Sequence, residues 1–480
     1  MKTYLFYDTE TTGLSPYFDQ VLTFACIRTD PELNELDRTA ITIRLREDII
    51  PSPGAFLTHG LSFDELESGI CEYQAARKIH ELVNFPSTVS VGYNSLEFDD
   101  EFLRFMFYRN LLDPYTHQYK NNCSRMDILP VALIFRLFCP EALKWPSVDG
   151  KPSLKLELIA SENNFVTSGR AHEAMSDVEA LIALCRKLRP HGKIWNYTLD
   201  FFDRKKDETR IHKIKTSLDI SGQAFKLCIM ANPSFGSENN YLAPVIYLGK
   251  SLVYSNQSLW LRLDGEDILG LDTNSDISDT FVIRKRYGDA RIVLPALERF
   301  WQKLSETARN AAQLNIKELS GHASRFSEYI RYHKAYEYPV IPELDCDAAL
   351  YQDGFFTWDE KKQIETFHEA PDRLKTDVLK TMTSPRIKSL ASRIIARNFK
   401  NYSDIDTQGM WNQYLACLVS DLPEDQITGY RGDAKFNLSM GLEALESVTS
   451  TIDRHDTERR KIVEWLEAYI KGRSSVNPAG

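Results

Sequence analysis

The stretch Tyr4-Leu5-Phe6-Tyr7-Asp8-Thr9-Glu10 constrains this chain more than any other. Four large side chains in a row, three of them aromatic, read as a short buried strand that runs directly into two carboxylates. Strand side chains alternate with period two, so Asp8 and Glu10 share one side of the sheet and Thr9 points away from it. Two like charges at one strand end repel unless a cation lies between them, and an all-oxygen donor set suits Mg²⁺ or Mn²⁺. Solvation of both acids beyond the strand is the plainer alternative, and this stretch alone does not choose between the two.

Further along, Val21–Arg28 and Ile41–Leu45 read as strands, residues 73–83 as a helix, and Thr88–Asn94 as another buried strand. Three meandering strands, a helix and a further strand fit a mixed sheet flanked by helices, an α/β arrangement. At 480 residues the chain exceeds one comfortable core. Its pattern divides into an α/β segment over 1–190 and a β-rich segment with flanking helices over 195–340. After a linker near Pro339 comes a helical segment over 346–475. The β-rich segment reads as a small barrel or sheet and carries an acidic stretch, 264–279. No apolar run of about 18 residues is present, so no membrane span is expected. Nor does the N-terminus carry a signal-peptide core. The eight cysteines are scattered with no Cys-x-x-Cys pair, which points to a reducing compartment, the cytoplasm. A net charge of −10 is the wrong sign for a nucleic-acid binder overall, although a groove on an acidic protein can still be basic.

Three further stretches carry candidate chemistry. A helix begins near Asp99 in Phe98-Asp99-Asp100-Glu101, where an acid in the first turn is also an ordinary cap. A segment with basic and aromatic character, read as a loop, holds Arg104, Arg109, Tyr115, Tyr119, Lys120 and Arg125; it suits phosphates and stacked bases or half-buried anchors equally. His172 and Asp177 flank the start of a helix whose apolar stripe is Ala174, Val178, Leu181, Ile182 and Cys185. Five residues apart, they do not stack on one helix face, so His172 would reach a shared site only from the segment before the helix. In the helical segment Arg386, Arg393, Arg397 and Lys400 recur at near-helical spacing, as a phosphate-binding stripe or a solvated face.

Taken together, Asp8 and Glu10 on a first strand, Asp99 after a Phe at a helix start, and His172 five before Asp177 resemble the DEDD exonucleases of the histidine subclass. Within them the chain is similar to the exonuclease I family along most of its length. Ile27–Asp30, Pro51–Ala55, Phe107–Asn110, Asp113–Tyr115 and Ser124–Asp127 carry the likeness, as do Leu350–Phe356 and Ala396–Phe399; residues 200–335 match weakly. The resemblance implies an RNase H-like exonuclease domain with a mixed sheet, then a small Src-homology-3-like β-barrel domain and a C-terminal helical domain, clamped around single-stranded DNA. It implies 3′→5′ release of nucleoside 5′-monophosphates in DNA repair and recombination. Two Mg²⁺ ions, for which Mn²⁺ can substitute, would be held by Asp8, Glu10, Asp99 and Asp177, with His172 as general base. A histidine pKa of about 6.5 suits that role at neutral pH. Glu10, Lys155, Arg104, Tyr115 and Tyr119 would contact the strand. The acidic C-terminal tail of the single-strand DNA-binding protein is the implied protein partner, and a monomer is expected. Two departures concern grip rather than chemistry: Lys155 stands where a familiar member has arginine, and Tyr119 where it has tryptophan. An exoribonuclease of the same superfamily and a non-catalytic single-strand-binding scaffold are the competing readings.

Overall fold

The first strand, β1 (Thr3–Thr11), is the middle of a five-stranded sheet with β2 (Val21–Thr29), β3 (Glu35–Thr42), β4 (Thr88–Gly92) and β5 (Ser124–Asp127). The computed structural model describes residues 2–165, 173–266, 268, 281–453 and 455–474. The strand order is β3-β2-β1-β4-β5; β1 pairs antiparallel with β2 and parallel with β4, so the sheet is mixed. Short connections suffice for the antiparallel meander, whereas each parallel step needs a crossover helix. Those crossovers are α1 (Glu72–Val83) and α2 (Asp99–Arg109). Both faces of β1 are covered: Leu5 and Tyr7 pack with Ile79, Phe102 and Met106, while Phe6 packs with Val178, Leu181 and Cys185. That double burial is why four large residues follow one another without alternation.

The third strand lies earlier than the apolar alternation of Ile41–Leu45 indicates. It runs from Glu35 to Thr42 at the sheet edge, and its polar residues face solvent, so no buried stripe marks it. Ile43 instead makes an isolated parallel bridge to Ile70.

Among the further helices of this part are α3 (Ile128–Phe138), α4 (Leu156–Glu162) and α5 (Ala174–Leu188). A second sheet follows, built of β6 (Leu227–Ala231), β7 (Leu242–Lys250), β8 (Gln257–Arg262), β9 (Val282–Arg286) and β10 (Ile292–Pro295). All its pairings are antiparallel, in the order β9-β8-β7-β6-β10. Its Ile229, Leu242 and Ile292 share one core with Leu129 and Leu133 of α3, which seats the second sheet on the first part. Of the acidic stretch 264–279, residues 267 and 269–279 lie outside the described residues.

Beyond residue 346 the chain is helical, including α6 (Pro385–Asn398), α7 (Leu438–Thr451) and α8 (Thr457–Ser474). Leu438, Leu466 and Ile470 pack on Leu22, Ile50 and Phe56; Leu390 and Ile394 of α6 pack with Tyr73, Phe105 and Tyr108. Between these contacts lies a buried ion network that corrects the reading of the arginine stripe. Arg397 pairs with Asp48 at 2.8 Å and with Asp347, while Arg393 pairs with Asp345 at 2.6 Å and Asp347 at 2.9 Å. Arg386 is bound to Glu360 at 2.5 Å, and Lys400 to Glu47. The three arginines form neither a phosphate track nor a solvated face, because each is largely buried against a carboxylate, whereas Lys400 meets Glu47 at the surface. Arg109 likewise is not on a loop; it is buried in α2, 2.9 Å from Glu72. Among the described residues no helix is long and apolar enough to cross a membrane.

Candidate active site

Asp8 and Glu10 leave β1 toward α5, on the side where Phe6 meets Val178 and Leu181. The pairing register of β1 with β2 shifts between Glu10 and Thr11, a bulge at the end of the acidic pair. Asp177 stands in the first turn of α5, whose apolar stripe fixes the helix on the sheet. One carboxylate oxygen from each of Asp8, Glu10 and Asp177 can be chosen so that all lie within 4.8 Å of one another, and the three residues are half-buried.

Asp99 arrives from the other face. After β4 the chain turns sharply at Gly92, where an added Cβ would stand 2.3 Å from the Ser95 Cβ. The turn is fastened by the Asp127 carboxylate, which accepts from the Asn94 amide at 2.8 Å and the Leu96 amide at 3.1 Å. Helix α2 then opens with Asp99 buried, and the Thr9 hydroxyl donates to its Oδ1 at 2.5 Å. Thr9 does point away from Asp8 and Glu10, but toward Asp99 rather than toward inert core. Its neighbour Asp100 is buried among two arginines, Arg104 at 2.5 Å and Arg125, and His117 Nε2 at 2.9 Å. Burial would raise the Asp100 pKa, yet those partners hold it far below the usual carboxylate range.

Asp8, Glu10 and Asp99 are the reverse case. Burial, then the charges of Asp99, Glu10 and Asp177, push Asp8 well above its ordinary value. Glu10 is raised to about 8 by burial and by Asp177 and Asp99. Burial raises Asp99 to about 7, with the Thr9 hydrogen bond holding it down. With no cation among them these groups favour protons over charge, and oxygen-only donors fit a hard divalent ion. Among the described residues one other close triplet exists, Asp345, Cys346 and Asp347, but Arg393 and Arg397 neutralise its acids.

A groove of about 750 Å³ opens from Asp8 and Asp177 past Tyr93, Lys151 and Lys155 to Pro233 and Tyr241 near the second sheet. Lys155 stands on its wall with most of its side chain exposed. Arg104 does not reach it: the guanidinium is buried and engaged with Asp100, Glu101 and the Tyr351 hydroxyl, so its assignment as a strand contact is corrected. Tyr115 is half-buried against Phe355, ring centroids 5.2 Å apart, and Tyr119 is 63% exposed; neither lines this groove. His172 lies outside the described residues. Thr9, Asp100 and Asp127 escape sequence reasoning as site-building residues. The weak signals available were one Thr between the paired acids and a conspicuous run of acids at 99–101.

Two family models match the chain: an exonuclease domain over residues 5–185 and an exonuclease I C-terminal domain over residues 344–473. Exodeoxyribonuclease I of Escherichia coli is 29% identical over 437 aligned positions, covering 86% of this chain and 89% of that protein. Its counterpart from Buchnera aphidicola of Schizaphis graminum is 29% identical and covers 97% of this chain and 95% of its own. Among solved structures, apo exonuclease I superposes with a TM-score of 0.78 at 25% identity, covering 98% of this chain and 99% of the other. Escherichia coli exonuclease I in complex with a dA16 oligonucleotide gives 0.79, again at 25% identity, covering 98% and 100%.

Proposed function

Because this chain belongs to the exonuclease I family, we propose that it removes nucleotides from the 3′ end of single-stranded DNA as nucleoside 5′-monophosphates. It is an exodeoxyribonuclease, and single-stranded DNA is its substrate. The direction rests on the family relation, and the observation that carries the mechanistic reading is the convergence of Asp8, Glu10 and Asp177, with Asp99 beside them, at the head of a groove holding Lys155.

Divalent metal dependence follows from the family and the acidic cluster, and Mg²⁺ is the ion we infer, with Mn²⁺ able to replace it. Asp8, Glu10, Asp99 and Asp177 would hold two ions. When bound, such a pair supplies Lewis-acid activation of the attacking water and neutralises charge on the leaving oxygen. Asp8, Glu10 and Asp177 approach from one side of the sheet, while the Thr9 hydroxyl keeps Asp99 aimed from the other. His172 would take the proton of the attacking water. Lys155 offers the phosphate backbone a mobile point charge rather than a bidentate fork. Glu10, Tyr115 and Tyr119 remain candidate strand contacts.

The test compares 3′-labelled and 5′-labelled single-stranded DNA and RNA with Mg²⁺. Mononucleotides should appear from the DNA 3′ end. Asp177→Ala should abolish cleavage while leaving oligonucleotide binding, and His172→Ala should lower the rate by about 10²–10⁴. Preference for RNA would replace this reading with an exoribonuclease; tight DNA binding with no product would replace it with a scaffold. By the same family relation we infer a cytoplasmic monomer acting in repair and recombination, with the acidic tail of the single-strand DNA-binding protein as partner. Sedimentation as a dimer, or no anisotropy change with a labelled tail peptide, would overturn those inferences.

A further inference from the structure

We propose that the first turn of α2 is a joint through which the C-terminal helical region sets the place of Asp99, with Asp100, Arg104 and Tyr351 as positioning residues. The inference rests on Asp99 being a metal ligand and deepens that reading.

The joint is assembled from distant parts of the chain. Asp100 follows Asp99 directly, and both its oxygens are engaged inside the protein, Oδ2 by Arg104 and Arg125 and Oδ1 by His117. An ordinary first-turn acid caps the helix from its surface and needs no such cage. One turn on, Arg104 also donates to Glu101 and, at 3.2 Å, to the Tyr351 hydroxyl, which itself donates to Glu101. Tyr351 belongs to the short helix Leu350–Asp353 at the start of the C-terminal region. Its ring is fixed edge-on by Phe105 of α2 at 5.5 Å and packs with Tyr430 at 5.1 Å. From the second sheet, Arg286 places its guanidinium 5.6 Å from the same ring.

Strand β5 and the helical region therefore meet on the first two turns of α2, which begin with Asp99, and the second sheet reaches them through the Tyr351 ring. Asp100 and Glu101 are matched by Arg104 and Arg125 within the nuclease part, and the neutral Tyr351 hydroxyl is what ties the Glu101 and Arg104 side chains to the helical region. A shift of Tyr351 leaves Glu101 and Arg104 with an unfilled partner and frees the turn that aims Asp99. Phe102 and Met106 anchor this helix of eleven residues in the core, and Glu101 and Arg104, the side chains that Tyr351 holds, lie on either side of Phe102 in the sequence that follows Asp99.

The test uses the full chain and reads Mn²⁺ binding by electron paramagnetic resonance without DNA, together with kcat, KM and thermal midpoint. Tyr351→Phe removes one hydroxyl and leaves the ring packing. We expect Mn²⁺ affinity and kcat each to fall about tenfold, with KM and the midpoint close to wild type, in line with the effect of disturbing groups that orient metal ligands. Asp100→Asn should lower both by about ten- to hundredfold, and Asp100→Glu should recover part of the loss. If Asp100→Asn does not fold, Tyr351→Phe alone decides. A lowered midpoint with wild-type Mn²⁺ affinity and kcat in Tyr351→Phe would show that the cluster only ties the parts together, and the proposal fails. Asp99→Asn separates the two levels: if it leaves Mn²⁺ affinity unchanged, the metal reading itself falls; if it weakens Mn²⁺ while Tyr351→Phe does not, only the joint is refuted.

Discussion

Thr9→Val is the sharpest probe of how the candidate site is held. Thr9 is 5% exposed, and valine keeps its β-branched shape in the strand while deleting the hydroxyl that lies 2.5 Å from Asp99 Oδ1. A hydrogen bond to a charged group contributes about 1.5–3 kcal/mol, and at about 1.4 kcal/mol per decade its loss corresponds to roughly a ten- to 150-fold effect. The same bond opposes the burial that lifts the Asp99 pKa to about 7. Removing it moves that pKa up by about one to two units, so Asp99 is protonated over more of the neutral range. The assay is kcat/KM on a labelled oligonucleotide at limiting Mg²⁺ across about pH 6 to 9. Activity should fall at neutral pH, the acid limb should move to higher pH, and Thr9→Ser should restore most of both. A Thr9→Val enzyme with the wild-type limb and rate would refute the argument, because Asp99 would then be aimed without the hydroxyl.

Two further outcomes follow from the electrostatics. Glu10 and Asp99 have folded-state pKa values near 8 and 7, above the ordinary carboxylate range, so without a divalent ion the folded protein binds protons that the unfolded chain has released. Their contribution to stability is therefore fully present below the ordinary carboxylate pKa and is lost as pH rises toward about 8. Added Mg²⁺ should raise the thermal midpoint more at the alkaline end of this window than at the acid end; equal shifts at both would contradict the cluster as the ion's site. Separately, Arg397→Met leaves Asp48 and Asp347 buried without their shared cation. Asp48 keeps Arg46 and Lys435, and Asp347 keeps Arg393, so the expected cost is below the about 3–5 kcal/mol of a fully uncompensated buried charge and is read as a lower urea midpoint. An unchanged midpoint would mean that the network between the nuclease sheet and the helical region adds nothing to stability.

Several features of this protein are local and therefore legible in sequence order. The apolar run ending in Asp8 and Glu10, the period-3.6 stripes of α1 and α5, and the helical character after residue 346 depend on neighbours a few positions away. Mixed sheet topology followed from the order of such elements. The edge strand β3 escaped because a solvated strand carries no buried stripe.

Arginine is where tertiary structure overruled the sequence. Arg104, Arg109, Arg393 and Arg397 look alike in a linear reading, each a cation suited to phosphate. Whether one is free depends on carboxylates elsewhere: Asp48 meets Arg397 across 349 positions, and Tyr351 meets Arg104 across 247. The order of the acidic stretches, through the family resemblance it carries, determined which residues could do hydrolytic chemistry on DNA. Only the folded chain decided which charges stay available for it, because pairing is a matter of distance in space, and burial makes an unpaired charge too costly to keep.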